Sequence, residues 1–174
     1  GAPVNPPARR YGYATILRTA LAVLLLDQLT KEAVRRLLPL QGDAWPAADG
    51  AVGRFFQFLH AHNTGVAFGL AQGRNGLFLV VALVVVVVLL AYARGLPAAE
   101  RWSRFALGCQ IGGALGNALD RLRLGHVTDF LDLHVGRWHW PTFNVADIAI
   151  NVGVWLLLLR LWRMDGSAVK EAAP

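Results

Sequence analysis

The sequence predicts an all-α membrane protein with four transmembrane helices. Hydrophobic side chains make up 55% of the 174 residues, and the mean hydropathy is +0.43, whereas soluble domains usually contain about 45–50% apolar residues. The chain length fits one compact domain. We therefore expect a single integral membrane domain over residues 1–174, with spans at about residues 11–29, 75–93, 105–119 and 148–162.

The second apolar segment is the clearest span. Residues 75–93, NGLFLVVALVVVVVLLAYA, are nineteen positions without a charge. At a rise of about 1.5 Å per residue, they nearly match a hydrocarbon core of about 30 Å. The Val run also suits a buried strand, but a run of this length is too long for one. The segment is therefore predicted to be a transmembrane helix.

The other three segments have charged residues near their ends or small residues along their length. The first span carries Arg18 near one end and Asp27 near the other, where charged side chains can reach the membrane interface. The third span is rich in Gly and Ala, which allow close approach of helices in lipid. The last span begins just after Asp147. Four spans place both termini on the same side of the membrane.

Two long connections, residues 31–74 and 120–147, are predicted to lie on the opposite side from the termini. The first contains a strand-like stretch, GRFFQFLHAHNTGVAFG. The positive-inside rule barely distinguishes the two possible orientations in the membrane. Nine Lys and Arg lie on the side of the termini and eight lie in the two long connections. The short connection concentrates Arg94, Arg101 and Arg104, which favours cytoplasmic termini.

Composition argues against several classes of function. The formal net charge is +6, but Lys and Arg occur singly or in pairs beside apolar runs, so we expect no nucleic-acid partner. The single cysteine, Cys109, lies in an apolar segment and is predicted to serve packing. No histidine has the H-E-x-x-H spacing of zinc proteases, so we expect no metal site. The histidines are His60, His62, His126, His134 and His139.

Acids and amides gather near the ends of the spans, where their cost in lipid makes them functional candidates. Asp27 and Lys31 are four residues apart on one helix face. This spacing favours a local ion pair that closes the helix end over a catalytic role. Asn63 stands in a turn signature with Gly65, so the amide is equally suited to capping backbone groups and to contacting substrate.

Asn117 and Asp120 lie three residues apart on one helix face within GGALGNALDR. A surface of small residues that carries an amide and a carboxylate suits helix packing with buried hydrogen bonds. Arg121 follows directly and is the expected counter-ion for an acid at a membrane edge. These residues are therefore predicted to support a polar site.

The segment HVTDFLDLHVGRWHWPTFNVAD adds Asp129, Asp132 and Asp147. Cleavage of an amide by water needs one group that accepts a proton and one that donates a proton, and two carboxylates sharing a proton do both. No G-x-S-x-G elbow competes with them. Asp147 is the first choice because it opens the last span, but spacing leaves its partner open among Asp120, Asp129 and Asp132.

Two other functions use the same features. A small proton-coupled transporter also carries acids in its spans, but it predicts acids near the midplane and an inverted repeat. Here the acids gather on one side and no repeat is visible. A non-enzymatic membrane scaffold leaves the clustering of acids and amides unexplained. The transporter is therefore the alternative to an aspartate-dependent hydrolase.

Four motifs resemble those of one enzyme family, the lipoprotein signal peptidases or signal peptidase II. DQLTK, HNTGVAFG, GGALGNALDRLRLGHVTDFLD and FNVADIAINVG occur in the order and spacing of that family, over about residues 20–160. The resemblance implies an aspartic endopeptidase of the bacterial cytoplasmic (inner) membrane that is inhibited by globomycin-type antibiotics. It implies four transmembrane helices, cytoplasmic termini and a small extracytoplasmic β-structured platform.

The resemblance also implies the substrate and the site. The substrate is a diacylglyceryl-modified prolipoprotein within membrane lipid, cleaved immediately before the lipidated cysteine at the extracytoplasmic face. The implied catalytic pair is Asp129 and Asp147 with a water between them, and Asp120 remains the alternative partner. We expect a monomer without a cofactor. The implied supporting or substrate-binding positions are Asp27, Lys31, Asn63, Gly65, Asn117, Asp120, Arg121 and Asn144.

Overall fold

The protein is mostly helical and carries one small antiparallel sheet. The computed structural model describes residues 9–47, 49–65, 75–97 and 99–171, so the part of the HNTGVAFG motif after residue 65 lies outside the described residues. The elements in chain order are α1 (Arg9–Leu37), β1 (Phe56–Asn63), α2 (Asn75–Gly95), α3 (Arg101–Leu124), β2 (Val127–Val135), β3 (Trp138–His139) and α4 (Val145–Glu171).

The helices extend beyond the predicted spans, most of all at the ends that carry charge. α1 continues to Leu37 and α3 continues to Leu124. An apolar run marks the part of a helix that suits lipid, whereas backbone hydrogen bonding continues through polar residues wherever neighbouring elements support it. Lys31 and Asp120, with which the two long connections were predicted to begin, therefore lie on helices.

Three of the described helices are long and apolar enough to cross a membrane: Tyr13–Leu37, Asn75–Gly95 and Val145–Arg163. α3 is the exception, since it packs against the other three helices and most of its residues are buried. A helix enclosed by other helices has little contact with lipid, so small and polar residues replace the apolar surface that lipid requires. The sequence predicts four spans; the described residues form four long helices, of which three have the length and composition of a span.

Glycines on α3 set its close approach to α1. A Cβ atom at Gly112 would lie 2.6 Å from the carbonyl oxygen of Ala20, and one at Gly116 would lie 2.5 Å from Oδ2 of Asp27. Residues four apart share one helix face. This contact places the carboxylate of Asp27 directly against α3.

The sheet has the strand order β1-β2-β3 with antiparallel neighbours. β1 pairs with β2 so that Ala61 lies opposite Asp129, with an irregularity between Phe58 and Ala61. β2 and β3 form a hairpin that turns at Gly136, whose φ of 61° suits glycine. Val34 of α1 packs against Phe130 and Leu131 of β2, among other apolar side chains, so the sheet covers one end of the helices.

Candidate active site

A cavity of about 500 Å³ opens between the sheet and helices α2, α3 and α4. Its size falls within the range of about 300–1,000 Å³ that is usual for ligand sites. Asp129 of β2 and Asp147 of α4 both line it, and we call these two acids the cavity pair. Asp120 and Asp132 are not among the residues that line it. The apolar lining includes Phe78, Val81, Ala82, Val85, Ala114, Val127, Pro141, Phe143 and Ile150.

The start of α4 holds Asp147 in place. The Oδ1 atom of Asn144 accepts a hydrogen bond of 3.1 Å from the backbone N–H of Asp147. In return, Oδ2 of Asp147 accepts a 3.2 Å hydrogen bond from the backbone N–H of Asn144. This reciprocal arrangement is a capping box, in which the residue before the helix and the third helical residue satisfy each other. The sequence NVAD therefore positions the carboxylate locally, at the positive end of the helix dipole.

Asp129 is held by two side-chain amides. The Nδ2 group of Asn63 donates to Oδ2 of Asp129 at 2.9 Å, and Nδ2 of Asn144 donates to Oδ1 at 2.7 Å. Asn63 reaches this carboxylate because it lies two residues beyond Ala61, the partner of Asp129 in the sheet, and so shares its face. Asn144 contacts both acids of the cavity pair and fixes their relative orientation.

The environment of Asp129 keeps it titratable near neutral pH. Asp129 is only 1% exposed to solvent. Burial raises the pKa of Asp129 to about 7, and the negative charge of Asp147 acts in the same direction. The hydrogen bonds from Asn63 and Asn144 and the charge of Lys31 oppose this rise. Since two close carboxylates in a desolvated site do not ionise together easily, the cavity pair can hold one proton between them.

A second group of charges lies behind the cavity; we call Asp27, Lys31, Arg35 and Asp120 the ion cluster. The Nζ group of Lys31 lies 2.9 Å from Oδ2 of Asp27 and 3.3 Å from Oδ2 of Asp120. Its third donor bonds to Oδ1 of Asn117 at 2.9 Å, which completes the donor capacity of an ammonium group. Arg35 lies 3.8 Å from Asp120. The ion cluster thus brings two acidic and two basic side chains together, and Arg35 also pairs with Glu32 at 3.1 Å.

The ion cluster is connected to the cavity pair through Asn117. Because Oδ1 of Asn117 accepts from Lys31, its Nδ2 group is turned towards Asp147 and donates to Oδ1 at 2.8 Å. Asp27 adds a second connection, since its Oδ1 atom accepts a 3.0 Å hydrogen bond from the backbone N–H of Ala146 in the first turn of α4. The buried charges therefore orient the helix start that carries Asp147.

The predicted pairing of Asp27 with Lys31 is present, but it does not close the helix end. α1 continues to Leu37, and both side chains are fully buried inside the protein. Both side chains are turned towards α3, where Asp120 is a second acidic partner of Lys31. The spacing of residues within α1 does not reveal this partner.

Arg121 does not serve as the counter-ion of Asp120. Adjacent residues on a helix point in different directions, and Asp120 faces Lys31 and Arg35 instead. The guanidinium group of Arg121 donates to the carbonyl oxygen of Gly65 at 2.9 Å and lies 5.1 Å from the ring centroid of Phe78. It therefore joins the end of β1 to the cavity wall.

The turn after β1 combines both roles that the sequence left open for Asn63. The Oδ1 atom of Asn63 caps the backbone N–H of Gly65 at 3.0 Å, while its Nδ2 group donates to Asp129. The amide therefore holds the turn and contacts an acid of the cavity pair at once.

Three polar residues of the ion cluster region were missed at the level of sequence. Gln28 donates to Asp120 at 3.2 Å, the backbone N–H of Thr128 donates to the same carboxylate at 3.0 Å, and Arg35 contacts both Asp120 and the Thr128 hydroxyl. Arg35 follows Lys31 by four residues, and this spacing was an available signal for a shared helix face. The contacts of Gln28 and Thr128 depend on α3 and β2 and carry no such signal.

Asp132 lies away from the cavity. It is three residues from Asp129 on β2, and an odd spacing on a strand turns side chains to opposite faces. Its carboxylate lies beside His134 and His139 instead of Asp147.

Comparison with known proteins agrees with the motifs. A family model described as signal peptidase (SPase) II matches residues 19–163. The lipoprotein signal peptidase of Moorella thermoacetica is 42% identical over 155 residues, covering 89% of this chain and 97% of that protein. The lipoprotein signal peptidase of Pseudomonas aeruginosa is 37% identical over 173 residues, covering 97% and 98%. A solved bacterial membrane enzyme superposes with a TM-score of 0.79 at 26% identity, covering 92% of this chain and 94% of that chain.

Proposed function

The chain belongs to the signal peptidase II family, and we propose that it cleaves diacylglyceryl-modified prolipoproteins immediately before the lipidated cysteine, using Asp129 and Asp147. Its relatives are lipoprotein signal peptidases, which supports the removal of signal peptides from lipoproteins. The observation that carries the aspartate mechanism is the cavity pair itself. Two carboxylates face one cavity, and amide and backbone N–H groups hold them there.

In the proposed reaction, Asp129 carries the proton of the pair and Asp147 is ionised. The raised pKa of Asp129 supports the first assignment. The second is supported by the position of Asp147 in the first turn of α4, where the helix dipole favours a negative charge. The pair then offers one base and one acid at the same moment, as hydrolysis of an amide requires.

The proton transfers balance over two steps. Asp147 accepts a proton from a water molecule, the water oxygen bonds to the scissile carbonyl carbon, and Asp129 donates its proton to the carbonyl oxygen. When the C–N bond breaks, Asp147 passes its proton to the leaving amine and Asp129 recovers a proton from a hydroxyl of the intermediate. Both aspartates return to their starting states, and the scheme uses no metal or organic cofactor.

The apolar wall of the cavity suits a signal peptide that lies in the bilayer as a helix. Phe78, Val81, Ala82 and Val85 follow the helical spacing of three and four residues, so they form one strip of α2 beside the cavity. The polar lining includes Asn63, Asn117, Asp129 and Asp147. A substrate helix lying against this strip would bring its C-terminal end, where cleavage occurs, to the two carboxylates.

We further propose that all four helices cross the bacterial inner membrane and that the cavity opens at the extracytoplasmic face. α1, α2 and α4 have the length and composition of spans. α3 packs against all three and would cross with them, shielded from lipid. Arg94 near the end of α2 and Arg101 and Arg104 near the start of α3 favour the cytoplasmic side for the connection between these helices, which leaves the sheet and the cavity pair outside. A monomer in contact with membrane lipid is sufficient for this arrangement.

The transporter alternative gains no support from the relatives or the solved structure. Of the cavity pair, Asp129 lies on the sheet and Asp147 lies in the first turn of α4. A transport site is expected near the middle of the spans.

The test is direct cleavage. The purified protein in detergent is incubated with a diacylglyceryl-modified prolipoprotein, and the shortened product is followed by gel electrophoresis and mass spectrometry. We expect cleavage immediately before the modified cysteine, and no product from Asp147→Asn. Normal turnover by that variant would overturn the mechanism, and no cleavage by the folded wild-type protein would overturn the proposed function.

A further inference from the structure

The face of the β2–β3 hairpin away from the cavity carries two histidines and one aspartate that meet at one point. Asp132 and His134 are two residues apart on β2, so their side chains share a face of the strand. His139 of β3 is the direct cross-strand partner of His134. Side chains of such partners lie next to each other, and the hairpin register therefore brings the three together.

The ligand atoms of these residues converge closely. Nδ1 of His134 lies 2.7 Å from Oδ2 of Asp132, and Nδ1 of His139 lies 3.0 Å from Oδ1 of the same carboxylate. One atom from each of the three residues lies within 4.8 Å of the others. In a tetrahedral zinc site with bonds of about 2.0–2.1 Å, ligand atoms are about 3.3 Å apart. The two nitrogen–oxygen distances therefore lie within a few tenths of an ångström of those in a zinc site, and the three ligand atoms are close enough to bind one ion.

The hydrogen bonding of His134 supports a ligand role. The residue is 6% exposed, and its Nδ1 atom forms no hydrogen bond among the described residues, despite its distance of 2.7 Å from Asp132. A buried ring nitrogen without a hydrogen bond is costly unless another partner satisfies it. The rings of His134 and His139 stack with centroids 4.6 Å apart, which keeps their nitrogens on the same carboxylate.

We propose that Asp132, His134 and His139 bind a Zn²⁺ ion on the sheet, outside the cavity. Two imidazoles and a carboxylate suit zinc, with water at the fourth position. The side chain of His139 is 54% exposed, which gives the ion access from solvent. The prediction of no metal site rested on sequence spacing, whereas this cluster depends on the pairing of two strands.

The bound ion would act as a clamp on the hairpin. β2 also carries Asp129, and the chain after β3 contributes Pro141 and Phe143 to the cavity wall. Joining β2 to β3 through the ion would restrain both. This site is independent of the proposed peptidase reaction, and zinc takes no part in that chemistry.

The test is zinc binding to the tag-free, metal-free protein in detergent at pH 7.5. Titration calorimetry is expected to show one Zn²⁺ per chain, and bound zinc is expected to raise the Tm by mass action. Co²⁺ in place of Zn²⁺ should give visible absorption bands of a tetrahedral site. The variants His139→Ala and Asp132→Asn are expected to weaken Zn²⁺ binding at least tenfold.

The matched control is His62→Ala, which removes an exposed histidine of β1 whose ring stacks on His126. This variant is expected to bind zinc like the wild type. Absence of stoichiometric binding to the wild type would overturn the proposal. So would binding that both hairpin variants leave unchanged or that His62→Ala abolishes. Prolipoprotein cleavage is measured separately, so failure of the zinc site leaves the proposed function intact.

Discussion

The ion cluster and the cavity pair each contain two aspartates, all buried except the half-buried Asp147, and they differ in the groups that surround them. Asp27 and Asp120 contact the ammonium group of Lys31, and Asp120 also lies near Arg35. In the part of the chain that the structure describes, the acids of the cavity pair have no cation at ion-pair distance. Their hydrogen bonds come from amide side chains and one backbone N–H.

The difference separates two uses of a carboxylate. A cation at contact distance favours the ionised form and makes a buried acid a structural group. A neutral amide orients a carboxylate but offsets less of the free-energy cost of burying its ionised form than a cation does. The acid can therefore still exchange a proton near neutral pH. The two groups are nevertheless connected, because Asn117 accepts a hydrogen bond from Lys31 and donates one to Asp147.

The largest expected effect separates activity from stability. Asp129→Asn should lower kcat/KM by at least about 10²–10⁴-fold, since it removes a proton donor from the reacting pair, with a smaller fall in Tm than Asp120→Asn causes. Asp120→Asn should lower the Tm, because Lys31 and Arg35 then lose a charged partner. Turnover and thermal unfolding in the same detergent measure both. If Asp120→Asn abolishes turnover in a folded protein and Asp129→Asn does not, the assignment of the two groups is reversed.

The second prediction concerns the ion cluster alone. Lys31→Met should lower the free energy of unfolding by about 3–5 kcal/mol, since two buried carboxylates lose a shared cation. The control is Arg36→Met, which removes a pair with Glu32 on the surface, where the arginine side chain is 75% exposed. That change should cost no more than about 1 kcal/mol. Equal losses in the two variants would show that the ion cluster has no special structural role.

The third prediction is pH dependence. Because catalysis needs the proton of Asp129, kcat/KM should fall about tenfold per pH unit above the pKa of about 7. The folded-state pKa also exceeds the ordinary value of 3.8. The burial of protonated Asp129 therefore contributes to stability. This contribution is fully present below about pH 3.8 and is lost as the pH rises through about 7.

A pH series of turnover and of thermal unfolding tests both parts. Asp129→Asn removes the titrating group, so its Tm should depend less on pH between 4 and 8 than that of the wild type. A flat rate profile above pH 7 would contradict the assignment of the proton to Asp129.

The smallest expected effect concerns the side-chain amide of Asn63, which donates a hydrogen bond to Asp129. Asn63→Ala removes one of the two side-chain hydrogen bonds that favour the ionised form of Asp129. The pKa of Asp129 should therefore rise, and the alkaline limb of the rate profile should move upward by about half a pH unit. Thr64→Ala, at the adjacent position, is the control. A downward movement of the limb would show that Asn63 does not stabilise the carboxylate.

Much of the fold and part of the site could be predicted because they depend on local properties. The apolar run of residues 75–93 corresponds to α2, since transfer of such a segment into lipid depends on its own side chains. Asp147 stood out for a similar reason. Its place after Asn144 is a capping box, which forms within a single turn of helix.

The partner of Asp147 could not be chosen in this way. Asp120, Asp129 and Asp132 are close in sequence and chemically identical, so spacing alone treats them alike. The alternation of side chains along β2 turns Asp132 from Asp129, and the contact of α1 with α3 gives Asp120 the ammonium group of Lys31. These differences arise from packing between elements.

The sequence by itself determined the apolar helices, the family and the helix cap that carries Asp147, because hydrophobicity, motif order and capping are properties of short segments. Only the tertiary structure decided which buried acids contact a cation, which ones face the cavity, and which one meets two histidines on the hairpin. The physical reason is that the proton affinity and ligand capacity of a carboxylate depend on the groups within a few ångströms, and those groups come from distant parts of the chain.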